Sequence, residues 1–219
     1  MGSSESAEEE QYSVTLTSEE IEVLRYIFET ILETVKAPTL NEMQSALKKP
    51  EDHIVQTLKE LENKDLLLRK RGTQEIVSIY PLSLIPTGHQ ISFEDGKKLF
   101  AMCAVDALGM PIMFSKDIKI VSQCKKCKQK LTIEIKNDEI VRMSHFDTVI
   151  WSPKRNPKRQ KAHDAEDCCP LVNFFCCKEH LEKWTQDYPD LAGRISEIKQ
   201  EFPRIKQRYE FYGKRLGFR

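Results

Sequence analysis

The chain has 219 residues and carries 34 basic and 34 acidic side chains, a net charge of zero. That balance argues against a protein whose main task is clinging to nucleic acid or to an anionic membrane, and no apolar run approaches the roughly 20 residues of a membrane span. The length is enough to bury a real core, as one domain or two small ones.

The first seventeen residues, beginning MGSSESAEEEQ, read as a disordered acidic lead-in. They lack the basic start and apolar core of a signal peptide, so the expected compartment is the cytoplasm. Thr17-Ser-Glu-Glu has the chemistry of a helix start, and Ile21, Leu24, Ile27, Phe28, Ile31 and Leu32 then repeat at helical spacing to about Val35. Thr39 opens a short second helix ending near Pro50, and Glu51 to Asn63 forms a third with Ile54, Leu58 and Leu61 inward. Leu66–Arg71 and Glu75–Tyr80 read as two strands around Gly72-Thr73, which completes a winged-helix-like pattern over residues 18–80. A DNA reader would need a basic third helix. This one holds Glu51, Asp52, Glu60 and Glu62, which repel phosphates, so the module is expected to pack rather than to read DNA.

Residues 81–219 are expected to form a second domain, a mixed or antiparallel β-sheet with flanking helices, which makes the whole chain α+β. It opens with a connector holding Pro86-Thr-Gly-His89. Ser92 as N-cap, Asp95 three residues on, and Gly109 and Pro111 as the stop predict one helix from Ser92 to about Met110. On it Leu99, Met102, Cys103, Asp106 and Met110 form a single stripe. A core-facing stripe has no packing reason to carry a carboxylate, since burying one unpaired costs several kcal/mol or forces it to take a proton. The ordinary reading makes Cys103 a small apolar filler and turns Asp106 to solvent.

Strands are predicted at Ile118–Val121, Lys130–Ile135, Glu139–Met143 and Val149–Trp151, with Asn137-Asp138 as a turn. Ser152 to Asp167 is a polar loop, basic around Arg155 to Lys161. Cys168-Cys169-Pro170 leads into an apolar run ending on Cys176-Cys177. A helix follows from Glu179 to Asp187, and a last amphipathic helix from about Leu191 carries Pro203 near its middle.

The seven cysteines (103, 124, 127, 168, 169, 176 and 177) are odd in number and include two vicinal pairs. In a cytoplasmic chain they read as metal ligands or reactive thiols rather than disulfides. The familiar reading of Cys124-x-x-Cys127 is half of a zinc site, completed by two of Cys168, Cys169, Cys176, Cys177 and His180. A redox pair would open a helix in a βαβ unit, whereas this one ends a strand. Neither reading uses Cys103 with Asp106. Cleavage of a bond between carbon and a soft metal would use both: thiolates hold the metal, and a nearby acid supplies the proton that the departing carbon needs. A carboxyl pressed beside a thiolate in apolar surroundings is expected to have a raised pKa.

At these residues the chain resembles the alkylmercury lyase family. The match runs through Asp95-Gly-x-x-Leu99-x-x-x-Cys103-Ala-x-Asp106-x-Leu108, a further cysteine at Cys124, and Phe175-Cys176-Cys177-x-x-His180, with Pro86-Thr-x-His89 before them. The resemblance covers about residues 18–210. It implies a winged-helix-like N-terminal part that need not bind DNA, followed by a catalytic part built on strands. Carried over, it makes Cys103 and Cys176 the mercury-binding thiols and Asp106 the proton shuttle. Cys124 becomes the structural cysteine and Cys177 the neighbour of the second thiol.

The implied reaction is protonolysis of R–Hg⁺ to RH and Hg²⁺, with no cofactor and with free thiols or a mercuric-ion-accepting protein removing the product. Cys127 and the Cys168-Cys169 pair depart from the family pattern and suit extra mercury capture or a structural zinc. The competing expectation is a non-enzymatic, thiolate metal-binding winged-helix protein, such as a metal-responsive regulator. The first predicts that Cys103, Asp106 and Cys176 converge on one pocket. The second predicts a tetrahedral site of Cys124, Cys127 and two later cysteines.

Overall fold

The computed structural model describes residues 14–154 and 164–219; most of the acidic lead-in and the Arg155 to Lys161 loop lie outside them. The chain is mixed α+β, and among the described residues all strand pairs are antiparallel. Its first helices start where local chemistry says they must. Helix α1 (Ser18–Thr34) is capped by Thr17, whose hydroxyl accepts from the Glu20 N–H while the Glu20 carboxylate accepts from the Thr17 N–H. Helix α2 (Leu40–Leu47) repeats that box with Thr39 and Glu42. Helix α3 (Glu51–Asn63) follows Pro50. Apolar faces of these helices meet through Leu24, Ile27, Phe28, Met43, Ile54, Leu58 and Leu61, all buried. At about 25 cal/mol per Å², burying such side chains supplies roughly 1.5–3 kcal/mol each, which holds helices too short to persist alone.

Strands β1 (Leu67–Arg69) and β2 (Ile76–Ile79) form a hairpin, which β3 (Leu82–Ser83) joins to a larger sheet. Its order is β1-β2-β3-β5-β4-β6-β7-β8. Here β4 is Gln90–Phe93, β5 is Lys98–Ala101, β6 is Ile118–Gln123, β7 is Lys130–Lys136 and β8 is Glu139–Met143. Asn137 and Asp138, both at positive φ, make the β7–β8 turn expected of that pair. A second sheet, β10-β9-β11, joins Asn173–Phe175, Val149–Pro153 and Gly193–Glu197.

Two predicted helices are corrected. Ser92 does not cap a helix. Residues 90–101 form the β4–β5 hairpin, turned at Asp95-Gly96 with Gly96 at φ +84° and closed by the Gly96 N–H to Phe93 O. Along β5 the burial of Leu99 and Ala101 alternates with period two, so Leu99 belongs to a sheet face and not to a helix stripe. Helix α4 runs instead from Ala104 to Phe114, with Cys103 as its N-cap. Gly109 and Pro111, expected to stop it, lie inside. Every residue of α4 except Val105 is buried, so packing outweighs the hydrogen bond lost at Pro111. The helix ends at Ser115, in the left-handed region.

Near the C-terminus, residues 193–197 pair with β9 rather than beginning a helix. Gly193 lies flat against the Trp151 indole, where a Cβ would come within 2.3 Å of the ring. The last long helix, α7, spans Ile198–Leu216 and holds Pro203 in its second turn. In the chain, α5 (Asp164–Asp167) and a 3₁₀ turn at Cys169–Leu171 lie between β9 and β10, and α6 (Lys178–Gln186) lies between β10 and β11. Helices α4 and α7 cross closely at Gly213, where a Cβ would come within 2.5 Å of the Met113 carbonyl oxygen. Among the described residues no helix is long and apolar enough to cross a membrane.

Candidate active site

The N-terminus of α4 places two chemically active groups side by side. Cys103, in extended backbone at the N-cap, uses Sγ to accept from the Asp106 N–H at 3.4 Å, as a capping serine would. The adjacent Ala104 N–H donates to Val172 O at 3.2 Å. This bond draws in the 3₁₀ turn whose first residue is Cys169. Cys169 Sγ then lies 3.9 Å from Asp106 Oδ2, oriented to donate to it. One ligand atom from each of Cys103, Asp106 and Cys169 falls within 4.8 Å of the others, and all three residues are buried.

The second carboxylate oxygen is held from α7. Tyr209 donates its O–H to Asp106 Oδ1 at 2.5 Å. Tyr80 donates to Tyr209 at 2.8 Å, and the Arg208 guanidinium reaches both hydroxyls and lies 4.0 Å from Asp106 Oδ1. Gly109 makes this approach achievable. A Cβ there would lie 2.3 Å from two carbons of the Tyr209 ring.

Burial raises the Cys103 thiol well above its ordinary pKa, and its contacts with Cys169 and Asp106 add to the effect, so it keeps its proton at neutral pH. Tyr209 is also raised, chiefly by burial, and remains a donor. A cleft of about 580 Å³ reaches this cluster from outside, lined by Cys169 and Met102 and by the basic side chains of Arg69, Lys70, Arg71 and Lys125. His89 lines the same cleft. Burial, reinforced by the charge of Lys125, pushes it down to about 4, and Nδ1 sits 3.0 Å from Ser122 Oγ, so it is a neutral packing group.

A second cluster gathers Cys124, Cys127, Cys176 and His180, again with ligand atoms within 4.8 Å of one another. Burial pushes the Cys176 thiol up, and the neighbouring Cys124 sulfur adds to that. Cys124 goes the other way, to about 6. Burial alone would raise it, but backbone N–H groups of Cys127, Cys176 and Lys126 and the His180 ring outweigh that.

The structure brings Cys103 and Asp106 together, and the sulfur it sets beside them is that of Cys169. Cys176, predicted to join them, lies in the other cluster, and Cys169 stands beside Asp106. The cause is the chain path. The Ala104–Val172 bond fixes the 3₁₀ turn at α4, while strand β10 carries Cys176 onward to the start of α6. Of the other thiols expected at a metal site, Cys124 and Cys127 do meet there. Neither cluster includes Cys168, nor Cys177, which caps α6. The cluster is three cysteines and a histidine, a set within the ligands expected of a zinc site and not the four cysteines of the regulator expectation. Tyr209, Arg208 and Tyr80 had not been singled out in the sequence.

A family model for alkylmercury lyase matches residues 82–209. An alkylmercury lyase from Bacillus cereus is 25% identical over 186 residues, covering 83% of this chain and 79% of that protein. One from Staphylococcus epidermidis is 27% identical over 172 residues, covering 77% and 74%. Among solved structures, the mercury-bound form of MerB2 superposes with a TM-score of 0.78 at 26% identity, covering 93% of this chain and 96% of that one.

Proposed function

The chain belongs to the alkylmercury lyase family, and from that premise we propose that it cleaves the carbon–mercury bond of organomercurials by protonolysis at Cys103, Asp106 and Cys169. The observation that carries the residue assignment is the carboxylate lying against two buried sulfurs, one of them on a cleft. The substrate arrives as R–Hg–SR′, held by a solvent thiol. One enzyme thiol displaces R′S⁻, which leaves with that thiol's proton as R′SH. The second thiol passes its proton to the Asp106 carboxylate, and its sulfur binds mercury. Two thiolates on one mercury raise the electron density on its carbon. Asp106 then delivers the proton to that carbon; the carbon–mercury bond breaks, RH leaves and Hg(SCys)₂ remains. Two further solvent thiols, or a mercuric-ion-accepting protein, remove Hg(II) and return both protons to the cysteines. The cycle needs no cofactor.

Tyr209 serves as a positioning residue. By holding Oδ1 it leaves Oδ2 facing Cys169, the oxygen that would accept the thiol proton. The three N-terminal helices with the β1–β2 hairpin we read as a winged-helix-like packing module. Its one basic strand side chain with a close partner, Arg69, pairs with Glu62 at 2.5 Å, which keeps it from phosphates.

The test is methane or benzene release from methylmercury or phenylmercury with excess thiol. Cys103→Ser, Asp106→Ala and Cys169→Ser should each abolish release while circular dichroism stays native, and Asp106→Ala should still bind mercury. Release that is indifferent to Asp106 would refute the mechanism. Release lost in Cys176→Ser but kept in Cys169→Ser would return the second thiol to Cys176.

A further inference from the structure

The cluster of Cys124, Cys127, Cys176 and His180 has no part in that reaction, yet it has the make-up of a built site. Its two halves come from segments that each bring paired donors to one point. The first is the β6–β7 connection, where the Cys124 N–H donates to Gln129 O at 2.8 Å and the Lys128 N–H to Cys124 O at 2.9 Å, with Lys128 at φ +63°. This tight knuckle turns Cys124 and Cys127 the same way, and backbone N–H groups of Lys126, Cys127 and Cys176 aim at the Cys124 sulfur. The second half is the start of α6, where Cys176, one residue before the Cys177 N-cap, sets its sulfur 2.9 Å from Nδ1 of His180 in the first turn.

The separations fit a tetrahedral ion. Zinc–sulfur bonds of about 2.3 Å place two sulfurs about 3.8 Å apart, and a sulfur and a nitrogen about 3.6 Å apart. Cys127 Sγ and Cys176 Sγ are 3.8 Å apart, and Cys124 Sγ and His180 Nδ1 also 3.8 Å. Cys176 Sγ to His180 Nδ1, at 2.9 Å, must open by about 0.7 Å for that geometry, and every donor pair already lies within 4.8 Å. A disulfide would need sulfurs about 2.05 Å apart, and all of these cysteines are free. Three thiolates, one imidazole and a divalent ion carry a net charge of −1, and Lys125, Lys126 and Lys128 lie in the same connection.

We propose that Cys124, Cys127, Cys176 and His180 bind a structural Zn(II) ion that pins the β10–α6 junction to the β6–β7 connection. The Lys125 N–H already donates to Phe174 O at 3.0 Å across the same seam. The ion would make this weak backbone join a four-point attachment. Resting on the lyase reading, a further consequence follows. Cys169 lies seven residues before Cys176 in the chain, so the ion also fixes the segment that presents the second mercury-binding thiol.

The experiment uses the full chain, expressed with added zinc and purified under reducing conditions without chelator. Metal content is read by mass spectrometry, and hydrocarbon release is measured on the same samples. Wild type, Cys103→Ser and Asp106→Ala should hold about one zinc per chain. Cys127→Ser and His180→Ala should lose most of it to a mild chelator that leaves wild type loaded. Because a ligand variant can fail to fold, wild-type protein is also exchanged with Co(II), which should show sulfur-to-cobalt charge transfer and the intense visible bands of a tetrahedral ion.

Wild-type protein that takes up neither zinc nor cobalt overturns the proposal. So does zinc retained at wild-type strength in Cys127→Ser and His180→Ala, an octahedral cobalt spectrum, or a site filled by Hg(II) alone. Zinc-loaded protein that releases no hydrocarbon would refute the lyase reading and leave the zinc site standing. Active, metal-free protein would do the reverse.

Discussion

Replacing Gly109 by Ala should destabilise the protein, although helix propensity alone says the opposite. In an exposed helix interior that change gains roughly 1 kcal/mol. Here the new Cβ would sit 2.3 Å from two Tyr209 ring carbons and 2.4 Å from a third. Ordinary carbon contacts begin near 3.5 Å, so the ring must retreat by about 1.2 Å. Tyr209 is fully buried, and its hydroxyl bonds Asp106 at 2.5 Å, so the ring cannot swing into solvent and a shift of that size strains or breaks the bond. Overpacking costs about 1–3 kcal/mol, and a hydrogen bond to a charged group is worth about 1.5–3 kcal/mol. Set against the propensity gain, the net loss is about 1.5–5 kcal/mol. A misplacement of about 1 Å at the reacting groups should lower hydrocarbon release by about 10²-fold. Urea unfolding gives the first number and gas chromatography of released benzene the second. The double variant Gly109→Ala/Tyr209→Ala, which empties the space the Cβ needs, should lose less than the sum of the single variants. A Gly109→Ala protein as stable and as active as its parent would show that the ring does not occupy that space in solution.

Three other substitutions probe the same picture. Tyr209→Phe keeps the ring and removes the donor to Asp106; release should fall by roughly 10–100-fold, the equivalent of about 1.5–3 kcal/mol, with mercury binding unchanged, and an unaltered rate would deny Tyr209 its positioning role. His89 is pushed down to about 4 by burial, whereas an unfolded histidine binds its proton near 6.5. The unfolded chain thus holds more protons between those values, and stability should fall by roughly 3 kcal/mol as pH drops from about 6.5 to about 4. Urea midpoints across that window should be flatter for His89→Asn, and an equal slope in both proteins would assign the loss elsewhere. Burial alone would raise Glu20, but Lys64 Nζ at 2.5 Å and the Thr17 N–H at 2.7 Å bring it below its ordinary value. Its contribution is therefore present above about pH 4.5 and lost as pH falls through the lowered pKa. Glu20→Gln should cost about 1–2 kcal/mol at pH 7 and progressively less in acid, by thermal unfolding at several pH values; a deficit that persists at low pH would contradict this.

What could be read from sequence was what local chemistry decides. Thr17 with Glu20, Thr39 with Glu42 and the Asn137-Asp138 turn each act within a few residues, and the structure has them where the spacing placed them. Cys103 and Asp106 were found through a mistaken element. A spacing of three brings side chains together on a helix face, and it also joins an N-cap to its N3 position. The alternation at Leu99 and Ala101 was the signal that separated the two, masked by Ser92 and Asp95, which look like a cap but begin a hairpin.

Between Cys169 and Cys176 no local rule decides, because both belong to vicinal pairs near a short apolar strand. Which of them stands beside Asp106 rests on the Ala104–Val172 bond, which joins residues 68 positions apart in sequence. Tyr209 was less legible still. It meets Asp106 across 103 residues, and the visible trace was a glycine inside a helix, read as a stop. An interior glycine that does not end its helix marks a place where another group must come close.

The opposite end of α4 is gripped by three aromatic rings. Phe114 meets Phe28 of α1 and Phe218 beyond α7 edge-on, with centroids 5.2–5.9 Å apart in all three pairings. The rings fix the far end of a rod whose near end carries Cys103 and Asp106. Eleven residues at 1.5 Å each make that rod about 16 Å long, so a tilt of about 5° at the rings swings the thiol end by about 1.4 Å. In the proposed reaction the N-terminal helices would act as the mounting of a lever, with Phe28 at the ring end of α4 setting the aim of the thiol and carboxylate at the other end.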